Sequence, residues 1–226
     1  MHTADDIWWR EKSCKGAAIQ HFFLSSGKRY GKMKQKTIQN QTTKRKRDHD
    51  MKYMFASDIH GSAYYCRKML AAYEREQADR LLLLGDILYH GPRNDLPKEY
   101  NPKEVISLLN PMKQEILCVR GNCDTEVDQM VLEFPILADY CFLELNGCSI
   151  FASHGHHFNP QSLPMLKEGD ILLNGHTHVP ANRNMGTYTY MNPGSISIPK
   201  ENSACGYMTY DGEFLWKDLD GNLLSI

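Results

Sequence analysis

The chain has 226 residues, 42% of them hydrophobic, enough for one domain with a substantial core, and no stretch approaches the ~20 apolar residues of a membrane helix. Net charge is −1 but uneven: residues 1–50 carry 12 Lys+Arg against 5 Asp+Glu, and residues 51–226 carry 14 against 22. An acidic body argues against broad phosphate-backbone binding, so neither nucleic acid nor membrane is an expected partner.

Residues 1–50 read as a disordered, basic N-terminal extension. Positions 25–50 are rich in Lys, Gln, Thr and Ser, with almost no apolar periodicity. The apolar run at 22–24 is too short for a signal-peptide core. Met51 opens the patterned part of the chain and is a candidate genuine start. From there, residues 51–226 form the expected domain. Lys52–Ser57 reads as a short buried strand, then a helix runs from Ser62, a plausible N-cap, to about Gln77. Residues 80–84 form a continuous apolar strand, hence one buried on both faces. A second helix is expected over 102–110, with Pro102 in its first turn. A third strand follows at 115–119 and a third helix at 126–134. Asn146-Gly147, between apolar runs 140–145 and 148–152, is a hairpin signal. A short helix is expected near 163–167, a strand at 170–173, and strand-rich text after Pro180 with turns at Asp211-Gly212 and Asp220-Gly221.

Seven cysteines, Cys14, Cys66, Cys118, Cys123, Cys141, Cys148 and Cys205, make an odd number with no CxxC pair. A disulfide framework or zinc ribbon does not follow from that spacing, and reduced thiols point to the cytoplasm.

The chemistry lies where strands run out into loops: Asp58-Ile59-His60, Gly85-Asp86, Gly121-Asn122-Cys123-Asp124, His154-Gly155-His156 and Gly175-His176-Thr177-His178. In α/β folds, sites form at the carboxyl ends of strands. Each motif alone is weak, since Asp after Gly is a common turn and an isolated His is common on a surface. Together they supply imidazoles, carboxylates and one amide, a ligand set for two divalent ions. That mixture suits Mn, Fe, Co, Ni or Zn better than an all-oxygen Ca site. Asp86 has two oxygens with which to bridge two cations. His176 and His178 alternate in direction if extended, so each would serve a different metal. Arg93 and Arg120 lie beside the motif loops as candidate phosphate contacts, together with Asn122 and Cys123. Asp124 reads as a helix cap.

The ordered series Asp-x-His, Gly-Asp, Gly-Asn, Gly-His and Gly-His-x-His resembles the calcineurin-like metallophosphoesterase superfamily. Met-Phe-Ala-Ser-Asp-Ile-His-Gly-Ser at 54–62, His-Gly-Pro-Arg-Asn at 90–94, Arg-Gly-Asn-Cys-Asp at 120–124 and Asn-Pro-Gly-Ser-Ile-Ser-Ile-Pro-Lys at 192–200 resemble its small bacterial YfcE-type phosphodiesterase branch. The resemblance covers roughly 51–226. It implies an α/β fold, a four-layer α/β/β/α sandwich. It implies one metal held by Asp58, His60 and His178, a second held by Asn122, His154 and His176, and Asp86 between them. It also implies catalytic roles for Asp86, Asn122 and His154 in positioning metal and phosphate, with a metal-bridging hydroxide attacking phosphorus. Manganese leads as the expected metal. Many members carry His where this chain has Cys123, and a thiol is a poorer proton donor than imidazole near neutral pH. The expected activity is hydrolysis of small phosphate esters. One rival is a non-catalytic scaffold of the same fold that binds a protein partner, which would be expected to have degraded ligands; a second is a nucleic-acid-binding protein using the basic arm of residues 1–50. Self-association is left open by the sequence.

Overall fold

The structure is a computed structural model that describes residues 51–226; the expectations placed on residues 1–50 lie outside the described residues. Two five-stranded mixed sheets make the α/β sandwich expected from the sequence. The first contains β1 (Tyr53–Ala56), β2 (Arg80–Leu83), β3 (Ile116–Cys118), β9 (Gly206–Tyr210) and β10 (Phe214–Asp218), in the order β10-β9-β1-β2-β3. The second contains β4 (Tyr140–Leu145), β5 (Cys148–Ser153), β6 (Ile171–Leu173), β7 (Ala181–Asn184) and β8 (Thr189–Asn192), in the order β4-β5-β6-β8-β7. Side chains alternate along β1 and β2. Phe55 and Leu82 pack with Ile150, Ala152, Leu173, Met191, Met208 and Trp216. Met54, Leu81 and Leu83 face the other way, against α1 (Ala63–Glu76) and α2 (Pro102–Leu109). Both faces of the first sheet are therefore covered, which is why its central strands tolerate uninterrupted apolar text.

Strands β1, β2 and β3 run parallel, as do β5, β6 and β8. Ser62 caps α1 through its Oγ, which accepts from Tyr65 N at 3.2 Å, and Asn146-Gly147 turns β4 into β5 with both φ angles positive. Two helices differ from expectation. The one expected over 126–134 closes after α3 (Glu126–Gln129). Gln129 there turns its amide onto Leu132 O, Phe134 O and Ile136 N, while Asn110 takes Val131 O and Glu133 N. Pro135 also disfavours helical backbone at Phe134. The helix expected near 163–167 does not form. Pro164 restricts Leu163, Asp170 Oδ2 accepts from Lys167 N at 2.7 Å, and Asn159 pairs with Ser162. Irregular chain covers the outer face of the second sheet here, with Phe158 and Leu166 packed on Phe151, Leu172 and Tyr190.

Candidate metal centre

The loop after β1 is laced to the loop after β2 by backbone hydrogen bonds, and the loop after β6 to the loop after β5. Asp58 N donates to Gly85 O, His60 N to Asp86 O and Gly61 N to Ile87 O, while Gly175 N donates to His154 O at 2.9 Å. Glycine is required where loops touch. A Cβ on Gly121 would collide with the Asp86 carboxylate, and one on Gly175 with Ser57 Oγ. The Gly-Asn and Gly-His pairings thus follow from close approach of backbone to the side chains of neighbouring loops.

All seven residues expected to bind metal converge. Nδ1 of His60, His154 and His178 lies 2.8, 2.6 and 2.7 Å from the carbonyls of Tyr89, Leu84 and Ile198. A carbonyl only accepts, so each Nδ1 carries the proton and the neutral ring presents a lone pair at Nε2. Those lone pairs face other acceptors. His60 Nε2 lies 3.3 Å from His178 Nε2, and His154 Nε2 lies 3.0 Å from Asn122 Oδ1 and 3.2 Å from His176 Nδ1. Asp58 Oδ2 accepts from His176 N at 3.1 Å. Its buried Oδ1 sits 3.1 Å from His178 Nε2 and 3.5 Å from His60 Nε2 without an aligned hydrogen bond. Acceptors converging with no donor between them need a cation. In the metal-free chain that cation is the proton. Burial works against a charged His154, yet Asp86 and Asp58 hold its pKa up to about 9. Burial likewise opposes ionisation of Asp58, and the imidazoles of His178 and His60 outweigh it, placing the carboxyl well below its ordinary value.

Asp86 occupies the middle. Its Oδ2 lies 3.7 Å from His60 Nε2 and 3.4 Å from His154 Nε2, while Oδ1 accepts from Cys123 N at 2.8 Å. One oxygen, rather than two, faces both clusters. The histidines of the 176–178 pair do point to separate clusters, but not by extended alternation: both adopt left-handed backbone, φ 66° and 61°.

Of the expected substrate contacts, Arg93, Asn122 and Cys123 line a 290 Å³ cavity that also includes the candidate ligands His60, Asp86, His176 and His178, along with Asn94 and Lys200. Arg120 does not line it. Its guanidinium is held by Asp124 O at 3.2 Å and Glu126 at 3.3 Å, so its surroundings are those of a structural ion pair. Burial and the nearby carboxylates push the Cys123 thiol well up, which keeps it protonated. Asp124 is not the helix cap; Thr125 is, through a capping box with Asp128. The buried Asp124 carboxylate instead accepts from Asp86 N, Ile87 N and Gly121 N at 2.8, 2.9 and 2.7 Å, joining the second and third motif loops. Asn94 and Lys200 end two of the quoted stretches, 90–94 and 192–200, but were not singled out as contacts, and this role of Asp124 gave no sequence signal. The 192–200 stretch is explained by contact. Ser195 and Ser197 hold Asp58 O, Asn192 Nδ2 holds Gly175 O, and Ile198 O orients His178.

The calcineurin-like phosphoesterase superfamily domain model matches residues 51–213. The phosphodiesterase YfcE of Escherichia coli is 46% identical over 165 residues, covering 73% of this chain and 90% of its own. A solved structure of that E. coli phosphoesterase superposes with a TM-score of 0.75 at 43% identity, over 77% of this chain and 97% of the other. Vps29 from Entamoeba histolytica, solved with zinc, superposes with a TM-score of 0.50 at 21% identity over 77% of this chain and 96% of its own, a likeness of fold alone. With a matching model across most of the chain and a relative at this identity, the chain belongs to the calcineurin-like phosphoesterase superfamily.

Proposed function

We propose that this chain is a phosphodiesterase that hydrolyses small phosphate esters with two divalent ions, manganese foremost, in the cytoplasm. Asp58, His60 and His178 would hold one ion; Asn122, His154 and His176 the other; Asp86 would serve both. The observation that carries this reading is the Asp86 carboxylate oxygen set between His60 Nε2 and His154 Nε2, at 3.7 and 3.4 Å. Bound there, two such ions would lower the pKa of a water toward neutrality and offset charge on phosphoryl oxygens. The residues do the rest. Nδ1–H bonds to backbone carbonyls fix the imidazoles, and Asn122 offers an oxygen ligand without adding negative charge near phosphate. Arg93 and Lys200 line the same cavity and suit the remaining phosphoryl charge. Cys123 is a weak acid, so departure falls to leaving groups that need little protonation. The E. coli relative's name as a phosphodiesterase supports the diester assignment. The scaffold reading has less support, because all seven ligand positions retain competent side chains in a convergent arrangement.

The test is a panel of phosphate mono- and diesters against metal-stripped protein reloaded with Mn²⁺, Co²⁺, Ni²⁺, Zn²⁺ or Mg²⁺. We expect two ions per chain and fastest turnover of an aryl diester. Faster monoester turnover, or no turnover with any ion, would overturn the assignment.

A further inference from the structure

Among the six arginines of the described residues, four have side-chain partners: Arg67 with Glu99 and Glu104, Arg75 with Tyr207 and Leu219 O, Arg80 with Gln114 O, and Arg120 with Asp124 O and Glu126. The other two, Arg93 and Arg183, have no ion pair or hydrogen bond among those residues. Arg93 lines the 290 Å³ cavity that also includes candidate ligands. Arg183 lines a second cavity of 460 Å³, and the two cavities share His176. Residues 51–226 hold 22 acidic side chains against 14 Lys and Arg, yet no carboxylate lines the larger cavity. Unpaired guanidinium groups in an acidic body are therefore concentrated at the two openings around one ligand histidine.

The larger cavity is built by the fold. Arg183 on β7 stands directly opposite Tyr190 on β8, so both side chains lie on one face of the second sheet. Tyr190 is buried and Arg183 exposed, giving a floor with a charged rim. Asn192 on β8 donates to Gly175 O at 2.7 Å, which ties this floor to the loop that carries His176. His156, Asn159 and Gln161 supply further polar groups to its lining. The volume falls within the roughly 300–1,000 Å³ of small-ligand sites.

We infer that this cavity is a subsite for the ester arm retained on phosphorus, and that Arg183 selects arms carrying a second anionic group, a carboxylate or a further phosphate. The inference rests on the diester reading above. A monoester has no such arm, and a diester needs a place for one beside the ligands. Arg forms forked hydrogen bonds with either anion, while a cationic arm would meet like charge and no carboxylate in the lining.

The experiment uses full-length, Mn²⁺-loaded protein and four diesters sharing one p-nitrophenyl leaving group. Their second arms are choline, thymidine, glycolate and a phosphorylated glycerol. A common leaving group keeps departure constant, so kcat/KM reports the arm. We expect both anionic arms to exceed thymidine by about fivefold, the scale of an exposed ion pair, and choline to rank last. R183Q should bring the anionic arms down to the thymidine level, and R183K should restore part of the preference. The glycolate and glycerol-phosphate arms show which anion is favoured. One rate for all arms, or the wild-type ranking persisting in R183Q, would overturn the subsite. Absence of turnover with every diester would instead overturn the diester reading on which it rests.

Discussion

Asp124 follows Cys123 of the 290 Å³ cavity and is assigned no metal, yet it should be among the costliest residues to change. Its carboxylate accepts three backbone N–H groups, two on Oδ2 from Asp86 and Gly121 and one on Oδ1 from Ile87. The residue is 2% exposed, so water cannot replace it. Asp124→Ala leaves three buried donors unpaired at about 1–3 kcal/mol each, roughly 3–6 kcal/mol after partial relaxation. That is a large share of the ~5–15 kcal/mol that holds a domain folded. Asp124→Asn is the sharper test. Its one carbonyl oxygen can keep the two bonds made by Oδ2, but its NH₂ then faces the N–H of Ile87, so the cost is about 2 kcal/mol. With a urea dependence of ~1–3 kcal/mol/M, the unfolding midpoint in chelator should fall by about 1 M. Because these donors belong to the Asp86 and Asn122 loops, metal affinity should fall with it. A midpoint for Asp124→Asn within a few tenths of a molar of wild type would show that the three bonds do not hold the loops.

Asp86→Ala should lower bound metal to less than one ion per chain by elemental analysis, since changes merely behind a ligand already cost about 10–100-fold in affinity; two ions retained would remove Asp86 from the shared position. Adding Mn²⁺ to stripped protein should raise Tm, by about 2.7 kcal/mol of stability per site at 100 times Kd, and should release protons at pH 7 because His154 is held at about 9. Equal calorimetric heats in buffers of different ionisation enthalpy would contradict that release. Cys123→His should speed alkyl diesters relative to aryl ones, within the ~10²–10⁴-fold range of general acid catalysis, and flatten a plot of log rate against leaving-group pKa. A plot already shallow in wild type would mean another group donates the proton. Burial raises the Glu76 carboxyl, but Lys217 at 2.8 Å and the Tyr207 hydroxyl at 2.8 Å more than offset it, so its pKa is depressed. A depressed carboxyl stabilises above its unfolded pKa, and that contribution is lost as pH falls through the folded value. Glu76→Gln should therefore cost about 1–3 kcal/mol at pH 7 and flatten the acid limb of Tm against pH; an unchanged limb would remove Glu76 from it.

The site was more legible in the sequence than the chain around it. Asp58, Asp86, Asn122, His154 and His176 could be placed because each ends an apolar strand, and strand ends are set by strong local pattern. Arg120 misled because adjacency to a motif says nothing about direction; the side chain turns away to Asp124 O and Glu126. Asp124 misled for a related reason. An Asp before a helix reads as a cap, but Thr125 takes that place and frees the carboxylate for contacts 37 and 38 residues away in sequence. The helix expected over 126–134 shows tertiary contacts prevailing over propensity, since Gln129 and Asn110 supply the segment's backbone partners. Arg183 carried no signal because it stands outside every motif, on an edge strand whose pairing with β8 brings it opposite Tyr190.

Backbone conformation shows why these ligands need the whole fold around them. Ten non-glycine residues among those described have positive φ, and five are proposed ligands: Asp58, His60, Asp86, His176 and His178, between 50° and 66°. Each such residue costs up to about 1–3 kcal/mol, less for Asp and His than for branched residues. A loop of this length could avoid that cost by relaxing. Here it does not, because each strained residue is held by a neighbouring loop. His60 N is fixed on Asp86 O, His176 N on Asp58 Oδ2, and Asp58 O is held by two serines from the 192–200 stretch. The left-handed turns direct side chains from different strands toward one point, and the cross-loop bonds keep them there. The strain is thus borne by the two sheets that set the loops side by side, and what it secures is a cluster of acceptors that only a cation, a proton or a metal ion, can reconcile.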